Sequence, residues 1–217
     1  MTPTETSNCN GSAMASFAAS GGSASRSNFQ TIVADPPWHY GKSRGFSWRE
    51  GRPSGERGEM LEYPTMTVAE ITALPVASLA APDAHLYLWT TQRYVWDAPA
   101  IVRAWGFEPS TLLTWCKSPT GFSLGGTYGK ASEFCLFAKR GKLSALTRTN
   151  RDWWNWPRGA HSAKPEAFQD VVESVSPGPY IELFARRSRL GWATWGNEAL
   201  NHVELVTQND QAHARPE

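Results

Sequence analysis

The sequence predicts one α/β domain, an open sheet with helices on both faces, and three observations carry this. Short β-branched or aromatic runs alternate with amphipathic stretches between residues 29 and 200. Residues 1–28, rich in Ser, Ala, Gly, Asn and Thr, and the polar stretch 201–217 lack that periodicity and read as tails. The 217 residues are 41% hydrophobic and 19% charged, enough for one sizeable core.

The elements follow in order. FQTIVA (29–34) is apolar and β-branched, a buried strand. TVAEITAL (67–74) opens with Thr67 and, three residues on, Glu70, a capping box that starts a helix. AHLYLWT (84–90) reads as a strand. A helix follows across 92–105, which Pro99 either kinks or begins. STLLTWCK (110–117) and EFCLFAK (133–139) read as strands. In PEAFQDVVESV (165–175), Phe168, Val171, Val172 and Val175 share one helix face. The strands YIELFA (180–185) and GWATWG (191–196) complete the set. Three long stretches, 41–63, 118–130 and 141–163, fall outside the alternation. Loops of that length are functional or disordered. In open α/β sheets ligands sit at the C-terminal strand ends, where such loops emerge.

Composition narrows the function classes. Net charge is +1, so nucleic-acid binding would need a local basic patch. Cys9, Cys116 and Cys135 show no CxxC spacing, which argues against a zinc site or disulfide scaffold and fits a reducing cytosol. No apolar run reaches the roughly 18 residues of a membrane span, and no secretory signal is expected. His39, His85 and His202 lack partners at metal-ligand spacing, so no metal site is expected. GGTYGK (125–130) fails the phosphate-loop pattern: Leu124 stands where a Gly is required, and Ala131 follows the Lys. The eleven tryptophans fill core or supply aromatic surfaces.

The chemistry is concentrated in IVADPPWHY (32–40). Asp35 puts a carboxylate at the end of the first strand. Pro36 and Pro37 stiffen the turn and leave their carbonyls as free acceptors. Trp38 offers a flat face and Tyr40 a second. A planar ring bearing an exocyclic amine could stack there. Its two amine hydrogens would go to the Asp35 carboxylate and the Pro36 carbonyl, orienting the nitrogen lone pair toward an electrophilic methyl. The same residues also suit a rigid turn over a core Trp.

Asp-Pro-Pro-Trp resembles the catalytic motif of the N(6)-adenine methyltransferases. The rest resembles the family named after the seventy-kilodalton subunit of the mRNA adenosine methyltransferase, whose bacterial and phage members act on adenine. EYPTMTVAEI (62–71), LYLWT (86–90), LLTWCK (112–117), ASEFCLFAKRG (131–141), HSAKPE (161–166), SPGPYIELFARR (176–187) and WATWGNE (192–198) resemble family segments in the family's order. The resemblance covers roughly residues 29–200. The catalytic motif precedes the cofactor segment, a permuted order similar to the β class of DNA amino-methyltransferases. That class carries a His-x-x-Lys-Pro-like segment, which His161, Lys164 and Pro165 resemble.

The resemblance implies a Rossmann-like, S-adenosylmethionine-dependent methyltransferase domain at 29–200. Asp35, Pro36, Pro37 and Trp38 would hold the target adenine, with Tyr40 and Tyr63 near it. Lys164 would begin the helix facing the methionine end of the cofactor. Glu182, Phe184 and Arg186, on and after the cofactor strand, would serve its ribose and amino-acid end, and Asn197 and Glu198 its ribose or adenine. The chain carries Glu198 where well-known members have Gln, and Ser188 where they have His. The implied substrate is adenine in nucleic acid, DNA ahead of RNA, with the base outside any duplex. RNA methylation and a non-catalytic nucleic-acid-binding scaffold are the rivals. The implied setting is the cytoplasm of a bacterial or phage-infected cell, with a homo- or heterodimer left open.

Two clusters stay ambivalent in the sequence. Arg148, Arg151, Trp153, Trp154, Trp156 and Arg158 suit phosphate contact and base stacking, or equally a tryptophan plug under a loop. The 41–59 stretch sets Lys42, Arg44, Arg49, Arg52 and Arg57 against Glu50, Glu56 and Glu59. It would close over substrate or form a solvated loop.

Overall fold

The computed structural model describes residues 28–39, 65–118, 128–159 and 163–205. The expected N-terminal tail up to residue 27, the whole of the 41–63 stretch with residues 40 and 64, and residues 119–127, 160–162 and 206–217 lie outside the described residues.

Among the described residues seven strands form one sheet: β1 (Phe29–Ala34), β2 (Ala80–Thr90), β3 (Glu108–Ser118), β4 (Ser132–Arg140), β5 (Trp153–Pro157), β6 (Tyr180–Leu183) and β7 (Trp192–Trp195). Their order is β5-β3-β4-β2-β1-β6-β7. β4 pairs antiparallel with both neighbours, and all other pairs are parallel. The N-terminal end of β4 therefore shares an edge with the C-terminal ends of the other six strands. The chain leaves β1 to one side for β2 and returns on the other side for β6, so the strand order reverses at β1. That reversal is the place where open α/β sheets bind ligands.

The α-helices among the described residues, α1 (Val68–Thr72), α2 (Ala98–Ala104) and α3 (Glu166–Val175), cover the sheet. Alternation along β1 sends its side chains to two cores. Ile32 and Ala34 pack with Ile71 of α1 and with Ile101 and Val102 of α2. Val33 packs with Phe168 and Val172 of α3 on the opposite face. The Thr67–Glu70 capping box is formed as the sequence predicts. Pro99 lies in the first turn of α2, where its missing N–H costs nothing, so it begins that helix rather than kinking it. Residues 91–97 form a turn instead of the expected first helical turns.

Three segments differ from expectation. β2 begins at Ala80, not 84. β5 lies inside the stretch read as a loop: Trp153–Pro157 pairs parallel with β3, and its outer edge has no strand partner among the described residues. The polar C-terminal stretch joins the domain at its start: His202 N donates to Thr194 O at 2.8 Å along the outer edge of β7, and Val203 and Leu205 pack against the core.

His85 is a core residue. Its Nδ1 bonds Ser176 Oγ at 2.7 Å and its Nε2 bonds Leu143 O at 3.2 Å. Tyr87 Oη reaches the same Ser176 hydroxyl at 2.8 Å, knitting the end of α3 to β2.

Candidate active site

The strand ends converge on a cavity of about 250 Å³. Asp35, Pro36, Pro37 and Trp38 arrive from β1, Thr90 and Thr91 from β2, and Glu133 from β4. Phe184, Ala185 and Arg186 leave β6, Trp195 to Glu198 leave β7, and Met66 and Lys164 close the sides. Residues far apart in sequence thus meet because the sheet reverses at β1; Asp35 and Lys164, for example, are separated by 129 positions.

The electrostatics are those of an alternating chain of charges. Lys164 Nζ lies 2.7 Å from Asp35 Oδ2 and 3.4 Å from Glu133 Oε2. Lys117, at the end of β3, pairs with the other oxygen of Glu133. The Lys164 ammonium also sits 5.3 Å from the centroid of the Trp89 ring, within cation–π range. Burial works against the charge on Lys164, but Asp35 and then Glu133 outweigh it and hold its pKa above the ordinary lysine value. Burial likewise works against Glu133, and Lys164 and Lys117 together hold its carboxyl below the usual carboxylate range. The pairings leave Asp35 as an acceptor with one oxygen, Oδ1, outside the ion pair.

The geometry amends the reading of the Pro-Pro-Trp turn. The proline carbonyls are not free. Pro36 O accepts Trp38 N at 2.9 Å, and Pro37 O accepts Met66 N at 2.8 Å. Each carbonyl keeps one further lone pair. Trp38 is almost fully buried. Its Nε1–H donates to Trp89 O at 3.2 Å, and its ring stacks on Tyr94 with centroids 4.8 Å apart and planes 18° apart. Tyr94 Oη in turn donates to His39 O. Trp38 is thus a wedged wall of the cavity whose one face is taken by Tyr94.

Of the other residues singled out in the sequence, Phe184, Arg186, Asn197 and Glu198 line the cavity. Phe184 adopts φ +64°, a left-handed conformation uncommon outside glycine, with Trp195 packed edge-on against its ring at 5.3 Å. Arg186 Nε lies 3.8 Å from Glu198 Oε1, bridging the two loops. Gly196 lets those loops touch: a Cβ there would meet Ala185 O at 2.3 Å. Lys164 precedes α3, whose cap is Pro165, rather than beginning it. Glu182 stands apart from the cavity lining; its Oε2 accepts Gln169 Nε2 of α3 at 2.6 Å. Burial, and next the charge of Asp35, push its carboxyl up to about 7. Tyr40, Tyr63 and His161 lie outside the described residues.

Glu133, Lys117, Thr90 and Thr91 were not singled out as site residues. The segments ASEFCLFAKRG and LLTWCK contain the first two, but only the antiparallel setting of β4 puts Glu133 at this edge. The Thr90 and Thr91 hydroxyls are buried without a hydrogen-bond partner among the described residues. Unpaired buried hydroxyls at a cavity wall are groups a polar ligand would satisfy. No group of three or more His, Cys, Asp or Glu among the described residues is placed to hold a metal ion, and no described helix is long and apolar enough to cross a membrane.

The tryptophan cluster on β5 divides. Trp154 and Trp156 are half-buried, stacked on each other at 5.4 Å, and packed against the α3-side core. Trp153 is exposed, as are Arg148, Arg151 and Arg158.

Comparison with known proteins matches the MT-A70 family to residues 29–198. The chain is 35% identical over 201 residues to the Type II methyltransferase M.MunI from Mycoplasma sp, covering 85% of this chain and 84% of that one. It is 28% identical to the N(6)-adenine-specific methyltransferase METTL4 from Homo sapiens, covering 82% of this chain and 39% of that protein. It is 30% identical to the N6-methyladenosine RNA methyltransferase MTA1 from Cryphonectria parasitica, covering 79% of this chain and 52% of that protein. The chain thus spans most of the first relative and about half or less of the other two.

Proposed function

The chain belongs to the MT-A70 family, and from that premise we propose that it transfers a methyl group from S-adenosylmethionine to the exocyclic amine of adenine in DNA. The observation that carries this is the meeting of the Asp35–Trp38 stretch with the loops after β6 and β7 in one cavity at the sheet's reversal point. Adenine and cofactor need adjoining sites, and the meeting of these segments supports that reading. Likeness to a Type II methyltransferase across most of both lengths supports DNA over RNA. The methyltransferase domain is taken as 29–200, and a cytoplasmic setting follows from the same reading. A dimer, of like or unlike chains, is compatible with it.

The donor set fits the cofactor. Arg186, Glu198 and Asn197 offer a cation, a carboxylate and an amide to its polar ends, Phe184 an apolar wall, and Thr90 and Thr91 unpaired hydroxyls. When bound, S-adenosylmethionine supplies the electrophilic methyl group and its sulfur leaving group. Asp35 Oδ1 accepts one hydrogen of the adenine amine, and the second lone pair of Pro36 O accepts the other. Lys164 holds Asp35 charged and fixed by engaging its other oxygen. Trp38, wedged by Tyr94, sets the depth to which the adenine ring enters. Catalysis then comes from orientation and fixed charge; the nitrogen–carbon bond forms as the sulfur–carbon bond breaks, the methylated amine gives up its surplus proton to water, and no covalent enzyme intermediate is needed.

The test is transfer of labelled methyl from S-adenosylmethionine to matched DNA and RNA oligonucleotides, with Asp35→Ala as control. Label on adenine in DNA, lost in the control, is expected. Label on RNA alone would keep the chemistry and overturn the substrate. No label on either, with no cofactor binding, would leave a non-catalytic scaffold.

A further inference from the structure

Trp96 is 87% exposed, whereas Trp38, Trp89, Trp105, Trp115 and Trp192 are almost fully buried. A tryptophan left in water forgoes the burial of a large ring. Trp96 is not on a loose end. It belongs to the 91–97 turn, closed by Tyr94 N to Thr91 O at 3.0 Å, Asp97 N to Tyr94 O at 3.0 Å and Ala98 N to Tyr94 O at 3.1 Å. Thr91 at one end of that turn lines the cavity. Tyr94 at its centre is stacked on Trp38 and bonded to the His39 carbonyl. Exposed Arg93 lies on the same turn, its guanidinium 5.5 Å from the Tyr94 ring centroid. A rigid turn locked to the catalytic stretch thus displays one bare aromatic ring beside a cation at the sheet's ligand edge.

We infer that Trp96 is a substrate-positioning residue: its ring stacks on the nucleobase next to the target adenine and holds the strand while the adenine occupies the cavity. This rests on the adenine-methyltransferase reading above. The chemistry is that of single-strand recognition, in which aromatic faces accept any base and neighbouring cations meet the phosphates. It also answers a need of base extrusion. Once the adenine leaves the stack, its neighbour presents an uncovered face, and a fixed indole can cover it.

The experiment compares the full chain with Trp96→Ala and Trp96→Tyr on DNA that the wild type methylates, with 2-aminopurine beside the target adenine. Trp96→Ala should raise the KM for DNA roughly tenfold or more, with kcat and S-adenosylmethionine affinity unchanged. Trp96→Tyr should restore most of it. The fluorescence of the 2-aminopurine should fall on binding the wild type and stay high with Trp96→Ala. Equal KM and equal quenching in Trp96→Ala and wild type would overturn this inference while leaving methyl transfer intact. So would a loss confined to kcat, or an effect on self-association alone. If the wild type itself transfers no methyl group, the underlying reading fails instead. Circular dichroism on Trp96→Ala separates a folding defect from either result.

Discussion

Lys164 reaches across 129 positions of sequence to place its ammonium 2.7 Å from one oxygen of Asp35. The same ammonium lies 3.4 Å from Glu133, so one cation serves two carboxylates whose side chains are only about one-fifth exposed. Replacing it with the similarly long Met leaves Asp35 without this cation and Glu133 with Lys117 alone. Lys164→Met should slow methyl transfer on the order of a hundredfold through misplacement of Asp35. It should also cost about 2–3 kcal/mol of stability, the buried-pair figure discounted for partial exposure. Single-turnover rates and urea denaturation measure the two effects separately.

Glu133 couples Lys117 to Lys164, and its neutralisation removes the carboxylate partner of Lys117 and leaves Lys164 with Asp35 alone. Glu133→Gln and Lys117→Met should each reduce stability, and the double variant should cost less than the sum. A coupling of about 1 kcal/mol or more is expected for groups sharing one network. Strict additivity in a double-mutant cycle would count against Lys117 acting through Glu133.

Glu182 gives the fold a pH dependence of definite sign. Its folded carboxyl titrates at about 7, above its ordinary value, because of burial and then the Asp35 charge. The folded state therefore holds a proton that the unfolded chain has already released. Stability is fully present below the ordinary carboxylate range and is lost as pH rises through about 7. Glu182→Gln keeps the acceptor for Gln169 and cannot ionise. It should gain on the order of 1–3 kcal/mol over wild type at pH 8, with the gap closing at pH 4.5, by urea denaturation across that range.

At Gly196 a single methyl would strike backbone. The added Cβ would stand 2.3 Å from Ala185 O and 2.6 Å from Ala185 N. Gly196→Ala should push the post-β7 loop away from the post-β6 loop, destabilising the fold by about 1–3 kcal/mol. Cofactor binding should weaken more than nucleic-acid binding, because those two loops carry Arg186, Asn197 and Glu198. Calorimetric titration with each ligand distinguishes the two.

Trp38→Phe keeps a ring for the Tyr94 stack but removes the donor to the buried Trp89 carbonyl. A loss of about 1–2 kcal/mol is expected from the orphaned acceptor. Activity should fall as well, since the ring loses the bond that fixes its tilt.

Much of this was legible in the residues. β1, β4 and α3 announce themselves by short apolar-rich runs or a single apolar face, and Asp35 is conspicuous by the prolines behind it. β5 was not legible. Trp-Trp-Asn-Trp-Pro has aromatics at both inward and outward positions, so its alternation shows only once β3 lies alongside. The turn at 91–97 displaced the start of α2 because Pro99 permits either reading until Asp97 is seen to cap it. Glu133 and Lys117 escaped for a related reason. A carboxylate at the start of a strand points to the ligand edge only when that strand runs backwards, and strand direction is a property of pairing. Thr90 and Thr91 carry no local signal at all; their significance is that no described residue bonds their hydroxyls.

The reversed direction of β4 has one more consequence. The chain departs from this edge after His39 and re-enters it at Met66; it departs again after β3 and re-enters at β4; and it approaches it a third time between β5 and Lys164. The described residues at both ends of each excursion stand on the rim that carries the cavity. The length of the excursions can change for little, since doubling a loop costs only about 0.6 kcal/mol in closure entropy. The scaffold is therefore built for transplantation: exchanging these three excursions between relatives should retune which sequence is addressed while the machinery that performs the transfer is inherited unaltered.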